Sequence, residues 1–270
     1  GKIPHKNFKG EEELISGYQK SVHYLALKNG NFDAPTCYQC HGAHEMEKSD
    51  NPDSKISKKN IAKTCGQTNC HVNQLNDYTG SIHQVGVSKD NKDAPTCNNC
   101  HGNHGIITKN VENKLQKSRD LVQLCSNCHS SVELVQRNDL PTQVTETYSE
   151  SFHGLATRGG SMEAANCESC HGNHNVRPSK DTLSTINKKN LPVTCGKCHP
   201  GATEVLFTKK IHLTNPEEDS PIVFWTTRFY MFMIFGLIGF MVFHNILDYR
   251  RKLQHRKNIN GHKKKTDVKK

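Results

Sequence analysis

Cys37-Tyr-Gln-Cys40-His41-Gly-Ala-His44 is the stretch that decides how the chain is read. Two cysteines separated by two residues, with histidine directly behind, recur as Cys97/Cys100-His101, Cys125/Cys128-His129, Cys167/Cys170-His171 and Cys195/Cys198-His199. A further set, Cys65-Gly-Gln-Thr-Asn-Cys70-His71, places four residues between its cysteines. All 12 cysteines fall in these six sets. Zinc ribbons share the paired cysteines but do not require histidine behind each second one, and disulfides would leave the histidines unexplained. C-x-x-C-H is instead the attachment signature of c-type haem. The two thiols add to the vinyl groups on one edge of the porphyrin, and the adjoining histidine is held beneath the iron. Six covalently attached haem c groups are therefore expected, with His41, His71, His101, His129, His171 and His199 as proximal ligands.

Outward from these motifs the chain is a repeat. Ser21-Val-His23, Ser81-Ile-His83 and Ser151-Phe-His153 each place a histidine 14 residues before a C-x-x-C. Each of those sites continues as C-H-G-x-H, which adds His44, His104 and His174, and a second attachment site follows. Three dihaem units result, spanning 18–80, 81–150 and 151–210, after an N-terminal lead of 1–17. A fourth unit begins at Lys210-Ile-His212 and stops.

These repeat histidines are candidate sixth ligands. Besides the six proximal residues, the region before the apolar C-terminal segment holds His5, His23, His44, His83, His104, His153, His174 and His212, while Met46 and Met162 are its only thioethers. Bis-histidine irons are expected, and with them low reduction potentials, because Met/His ligation is what raises the potential. His41 and His44 lie too close along the chain to reach opposite faces of one porphyrin, so His44 is expected to serve another haem. The same holds for His104 and His174. Which distal histidine meets which iron stays open. His212 lies 13 residues after His199, and His83 lies 12 after His71. His212 is accordingly expected to complete a haem of the third unit.

Composition agrees with a core not made of side chains. Hydrophobic residues are 33% of the 270, where nearly half is usual. The net charge of +10 is a property of the tail: residues 248–270 hold ten Lys and Arg against Asp248 and Asp267, net +8, which leaves +2 elsewhere. No basic face for nucleic acid is implied. Gly1 to Asn31 contains no apolar run, so an export signal is expected to have been removed or to lie outside this sequence.

After a linker (211–221), residues 222–249 read as a single transmembrane helix. Phe229 to Leu247 is 19 residues without a formal charge, about 28 Å as a helix, which matches the hydrocarbon core. Trp225 and Tyr249 are interfacial aromatics, and Arg250-Arg251-Lys252 opens a basic tail (250–270) expected in the cytoplasm by the positive-inside rule. The haem region is then external. Arg228 reads either as a snorkelling interfacial cation or as a partner for a propionate or quinone headgroup. His244 reads as an interfacial residue, as a ligand to a b-type haem shared with a partner helix, or as a quinone contact. Gly236 and Gly239 offer a smooth face to another helix.

The unit S-x-H, C-x-x-C-H-G-x-H, C-x-x-C-H resembles the doubled-CXXCH multihaem cytochromes of bacterial respiratory chains, over residues 18–213. The resemblance implies short α-helices and long loops wrapped around six bis-histidine haems, here followed by one C-terminal transmembrane helix. Short helices are expected after each attachment site, with a longer one within Leu121–Gln136. His244-Asn-Ile-Leu-Asp248-Tyr-Arg250 is similar to membrane segments near cytochrome b modules. The tetrahaem quinol dehydrogenases are similar in role, but their anchor precedes the haems.

The expected function is that of an electron-transfer subunit in the bacterial cytoplasmic membrane. It would relay electrons between the quinone pool, or an integral membrane redox subunit, and external redox proteins. The competing class is a multihaem enzyme that reduces or oxidises a small nitrogen or sulfur compound at an open iron. That chemistry needs a vacant distal position, whereas candidate ligands here outnumber irons.

Overall fold

Serine and tyrosine side chains, more than apolar packing, set the local structure of this chain. A computed structural model describes residues 11–106, 114–201, 212 and 216–267, and among these the regular secondary structure is helical. By its contacts the chain divides into residues 1–212 and residues 213–270.

In the first unit α1 (Glu11–Gln19) and α2 (Val22–Lys28) precede α3 (Cys37–His41), α4 (Ile61–Cys65) and α5 (Val72–Tyr78). The second contains α6 (Ile82–Ser88), α7 (Cys97–His101), α8 (Lys114–His129) and α9 (Val132–Arg137). The third contains α10 (Val144–Glu150), α11 (Phe152–Arg158), α12 (Cys167–His171) and α13 (Leu191–Gly196). The Cys37, Cys97, Cys125 and Cys167 motifs lie within α3, α7, α8 and α12, and short helices follow two of the sites as expected, α5 after His71 and α9 after His129. The longer helix expected within Leu121–Gln136 starts earlier, at Lys114, and breaks after His129, where Ser131 caps α9 in its own right.

Each S-x-H serine is an N-cap. Ser21, Ser81 and Ser151 accept from the backbone N–H of Tyr24, Gln84 and Gly154 at 3.2, 3.1 and 3.2 Å. Capping satisfies an otherwise orphan donor and sets the next histidine on the first helical turn. Three residues earlier stand Tyr18, Tyr78 and Tyr148, whose hydroxyls donate to the carbonyls of Pro35, Pro95 and Ala165 at 2.8, 2.9 and 3.0 Å. Each bond ties the helix before the S-x-H serine (α1, α5 or α10) to the start of the following attachment helix. That helix is opened by a capping box, Thr36 with Gln39, Thr96 with Asn99 and Asn166 with Ser169.

The long connections of the first and third units match residue for residue. Asn60 Nδ2 donates to the carbonyls of Pro52 and Ser54, and Asn190 Nδ2 to those of Thr182 and Ser184. Thr64 Oγ1 donates to Lys55 O and Thr194 Oγ1 to Thr185 O. The second unit uses α8 in that place, and its ends are joined by Arg137, whose guanidinium donates to both oxygens of Asp93 at 2.6 and 2.8 Å. That pairing holds the Asp93 carboxyl below the usual carboxylate range.

Apolar burial is slight. The buried hydrophobics among the described residues are Ala34, Tyr78, Val87, Ala94, Val135 and Tyr148, and the most deeply buried side chains are Ser21, Ser81 and Ser184. The chain exposes 21369 Å², against roughly 12000 Å² for a folded protein of its mass. A lone C-terminal helix accounts for part of that excess.

In the second part of the chain, α14 (Pro216–Asp219) is followed by α15 (Pro221–Asp267), a helix of 47 residues. Its Pro221–Arg256 portion is long and apolar enough to cross a membrane, and its most apolar window is 0% buried. A core helix of a soluble protein would be covered. The helix does not stop at Tyr249 but continues through the basic tail to Asp267. Arg228 lies over the Phe224 ring at 5.0 Å, and His244 lies beside Phe240 with ring centroids 6.4 Å apart. A methyl group at Gly236 or Gly239 would meet nothing within 4 Å, so that face is open.

Candidate haem-ligating histidine pairs

Cysteines three apart on one helical turn share a face, and α3, α7 and α12 each carry such a pair with histidine as the next residue. Glycine then ends each helix with a positive φ, 83° at Gly42, 82° at Gly102 and 73° at Gly172. An L side chain is strained in that conformation. The turn releases the chain toward the second histidine of C-H-G-x-H. At Cys65-Gly-Gln-Thr-Asn-Cys70-His71 the two extra residues are extruded as a loop with Asn69 at φ 67°. The His71 N–H nevertheless donates to Cys65 O at 3.2 Å, as the His199 N–H donates to Cys195 O at 2.9 Å. The longer site therefore preserves the relation between first cysteine and histidine.

The two cysteines of a motif differ in burial. In the second attachment site of every unit the first cysteine is half-buried and the second exposed: Cys65 against Cys70, Cys125 against Cys128, and Cys195 against Cys198. Cys128 lies in the last turn of α8, with its carbonyl accepting from the Ser131 N–H at 3.1 Å. Cys198 lies beyond the end of α13, in a turn where its N–H donates to Cys195 O at 3.1 Å. The first cysteine of each lies on a helix that packs against a neighbouring helix, and the second lies at or past the helix end. Cys37 and Cys100 are likewise exposed, and Cys40, Cys97, Cys167 and Cys170 are half-buried.

The histidines meet two by two. Ring centroids are 6.1 Å apart for His23 and His71, 5.9 Å for His41 and His104, and 6.2 Å for His101 and His174. They are 6.1 Å apart for His153 and His199 and 6.2 Å for His171 and His212. His83 and His129 interact electrostatically, and burial first, then His129, pushes the His83 pKa down to about 4. Each of the five ring pairs joins one attachment-motif histidine to one repeat histidine, and among these five no residue is used twice. An imidazole nitrogen binds a metal at about 2.0–2.1 Å and lies about 1.1 Å from its ring centre, so two imidazoles across one ion have centres about 6 Å apart. The spacing of those five pairs fits bis-histidine irons. Among the described residues no group of three or more His, Cys, Asp or Glu forms a metal cluster.

The pairing crosses between units. His104 of the second unit faces His41 of the first, and His174 of the third faces His101 of the second. His212 faces His171, so it is the counterpart of His104 and His174, not of His23, His83 and His153 as its spacing implies. Lys210 and Ile211 of the truncated fourth unit, like His5, lie outside the described residues. His44 is exposed and enters none of these pairs, while Met46 and Met162 are 61% and 59% exposed and approach no motif histidine.

The electrostatics favour ligating imidazoles. Burial lowers the pKa of His23, His41, His129, His153, His171 and His212, which keeps the rings neutral. His212 Nδ1 lies 3.2 Å from Thr147 Oγ1, whose own proton is donated to Val144 O at 3.1 Å. His212 therefore carries its proton on Nδ1 and presents the Nε2 lone pair.

Among the attachment helices α3 packs on α4, α4 on α7, α8 on α12 and α12 on α13. At these joints Cys65 interacts with Cys97 and Cys125 with Cys167, and none of the 12 cysteines forms a disulfide. The Tyr-x-x-Ser-x-His element that positions the distal ligands was visible in the sequence at Tyr18, Tyr78 and Tyr148, but the histidine pattern alone drew no attention to the tyrosines.

No protein-family model, no curated protein and no solved structure matches the chain.

Proposed function

We propose that the chain is a membrane-anchored hexahaem c-type cytochrome that relays electrons as a subunit of a respiratory complex. One observation carries this reading: five attachment-motif histidines each face one repeat histidine with ring centroids 5.9–6.2 Å apart, and the sixth, His129, interacts electrostatically with His83. Haem bound there supplies one-electron chemistry at low potential. The chain's own residues do the rest. The cysteine pairs fix the groups covalently, buried neutral imidazoles hold both axial positions, and the contacts α3–α4–α7 and α8–α12–α13 keep neighbouring sites within tunnelling reach. The exposure of Cys128 and Cys198 suits thiols that must be reached by a porphyrin vinyl group.

Saturated axial positions oppose the enzyme alternative, which needs an open iron. The apolar stretch of α15 and the basic residues behind it support a single-pass anchor in a bacterial cytoplasmic membrane, haem region outside and C-terminus inside. Integral membrane redox subunits and external electron-transfer proteins are the partners this arrangement serves, with His244 available to a shared b-type haem or quinone. The test is reduction of the haems in solubilised native membranes by a quinol analogue. Wild type should exchange electrons with the quinone pool, and a chain ending at His212 should keep its spectrum but lose that exchange. Equal rates in both would remove the quinone-linked role.

A further inference from the structure

The long connections of the first and third units share one backbone framework but carry different surfaces on it. Asn60 answers to Asn190, Thr64 to Thr194, and Lys58-Lys59 to Lys188-Lys189. In the first unit Asp53, Lys63 and Gln67 line one open hollow together with Lys55, Asn60 and Thr64. The positions of Asp53, Lys63 and Gln67 are taken in the third unit by Leu183, Val193 and Lys197, and that of Asp50 by Lys180.

The third unit's own bonds keep those positions together. Asn190 Nδ2 donates to the carbonyls on either side of Leu183, those of Thr182 and Ser184, both at 2.8 Å. The Val193 N–H donates to Asn190 O at 3.1 Å, and Asn187 Nδ2 donates to Ser179 O at 2.9 Å, which brings Lys188 toward Lys180. Leu183 and Val193 are 68% and 71% exposed. Because the matching residues of the first unit are charged, this is a face turned to solvent and not to a cofactor. Around it Lys180, Lys188, Lys189 and Lys197 are exposed, whereas in the first unit Lys58 donates to Lys92 O and Lys59 pairs with Asp90.

Charge follows the same division. Residues 1–150 hold as many acidic as basic side chains, but 151–210 hold eight Lys and Arg against four Asp and Glu, net +4. His212 pairs with His171 of this unit, and eight residues separate it from Pro221, at most about 30 Å of extended chain.

We infer that the face of Leu183 and Val193 binds the membrane surface on the haem side, with its lysines on anionic phospholipid. The inference rests on the reading of α15 as the anchor. Apolar side chains rimmed by lysine suit a bilayer surface, because the former leave water while the latter stay among the phosphates. The short tether makes that contact intramolecular in effect and raises its local concentration.

The test uses the full haem-loaded chain in lipid nanodiscs, with amine-reactive labelling of lysines read by peptide mass spectrometry. In phosphatidylglycerol discs Lys188, Lys189 and Lys197 should label about tenfold more slowly than in phosphatidylcholine discs, while Lys63 labels equally in both. High salt should remove the difference, because it screens surface charge. Lys180→Asp with Leu183→Asp gives the third unit the residues that the first carries on the same framework, so the fold should stand. That double variant should lose the protection with six haems still attached. Equal labelling in the two lipids, or protection that survives the double substitution, would overturn the inference. So would protection seen in native membranes but in neither disc, which would assign the face to a protein partner. A chain that inserts into neither disc would instead remove α15 as the anchor, and the inference with it, so the two failures are distinguishable.

Discussion

The His212 ring stands 6.2 Å from the ring of His171, which closes the third unit on itself in the way that the next unit closes the first and second. His212→Ala is therefore expected to leave six attached haems and convert one to high spin. Pyridine haemochrome counts and the near-infrared ligand-field band read the two quantities separately. Unchanged low-spin spectra would make His212 a spare residue.

Cross-unit ligation predicts an unusual epistasis between His104 and the first attachment site. His104→Ala should create one high-spin haem in the intact chain. It should create none once Cys37→Ala and Cys40→Ala have removed the haem above His41. Removing Cys97 and Cys100 instead should leave the effect of His104→Ala in place. Absence of the effect in that second background, rather than the first, would mean that His104 serves its own unit.

Thr147 positions His212 through Nδ1 without touching the iron site. Hydrogen-bond acceptors on the outer nitrogen raise ligand basicity and favour the ferric state. Thr147→Val should raise the potential of one haem by up to about 60 mV, the equivalent of a tenfold change in relative ferric affinity for a one-electron couple. Val144 O remains as an acceptor, so low spin should persist. A redox titration that overlays wild type would remove this role for Thr147.

The tyrosine hydroxyls should matter to stability and not to haem content. Tyr78→Phe deletes one hydrogen bond to Pro95 O, which costs about 1 kcal/mol. Chemical denaturation of the haem-loaded protein should report that loss, with six haems still attached. Loss of a haem in Tyr78→Phe would show that the hydroxyl acts during attachment.

The six motifs, the S-x-H repeat and the membrane-crossing stretch were all legible in the residues, because covalent attachment and a bilayer both demand fixed spacing. The partners of His41, His101 and His171 were not, since His104, His174 and His212 each approach from a later part of the chain and sequence distance carries no record of that. The spacing of His212 pointed to the S-x-H class for the same reason, whereas its contacts place it with His104 and His174. Helix positions were missed where capping overrides hydrophobic period: Thr36, Thr96 and Asn166 start helices inside the motifs, and Ser131 divides the long helix in two. Nor does spacing distinguish Cys125 from Cys128 or Cys195 from Cys198, which differ in burial. The equality of the first and third connections lies in Asn60 and Asn190, polar residues that bond backbone rather than cofactor.

Intact-mass measurement of the purified chain, followed by peptide mapping of its cysteines, tests the central claim most directly. The account predicts six haem masses per polypeptide and all 12 cysteines as thioethers, Cys65 and Cys70 of the longer site included. A chain without haem, with Cys65 bonded to Cys97 and Cys125 to Cys167 as disulfides at the joints where those thiols interact, would contradict it.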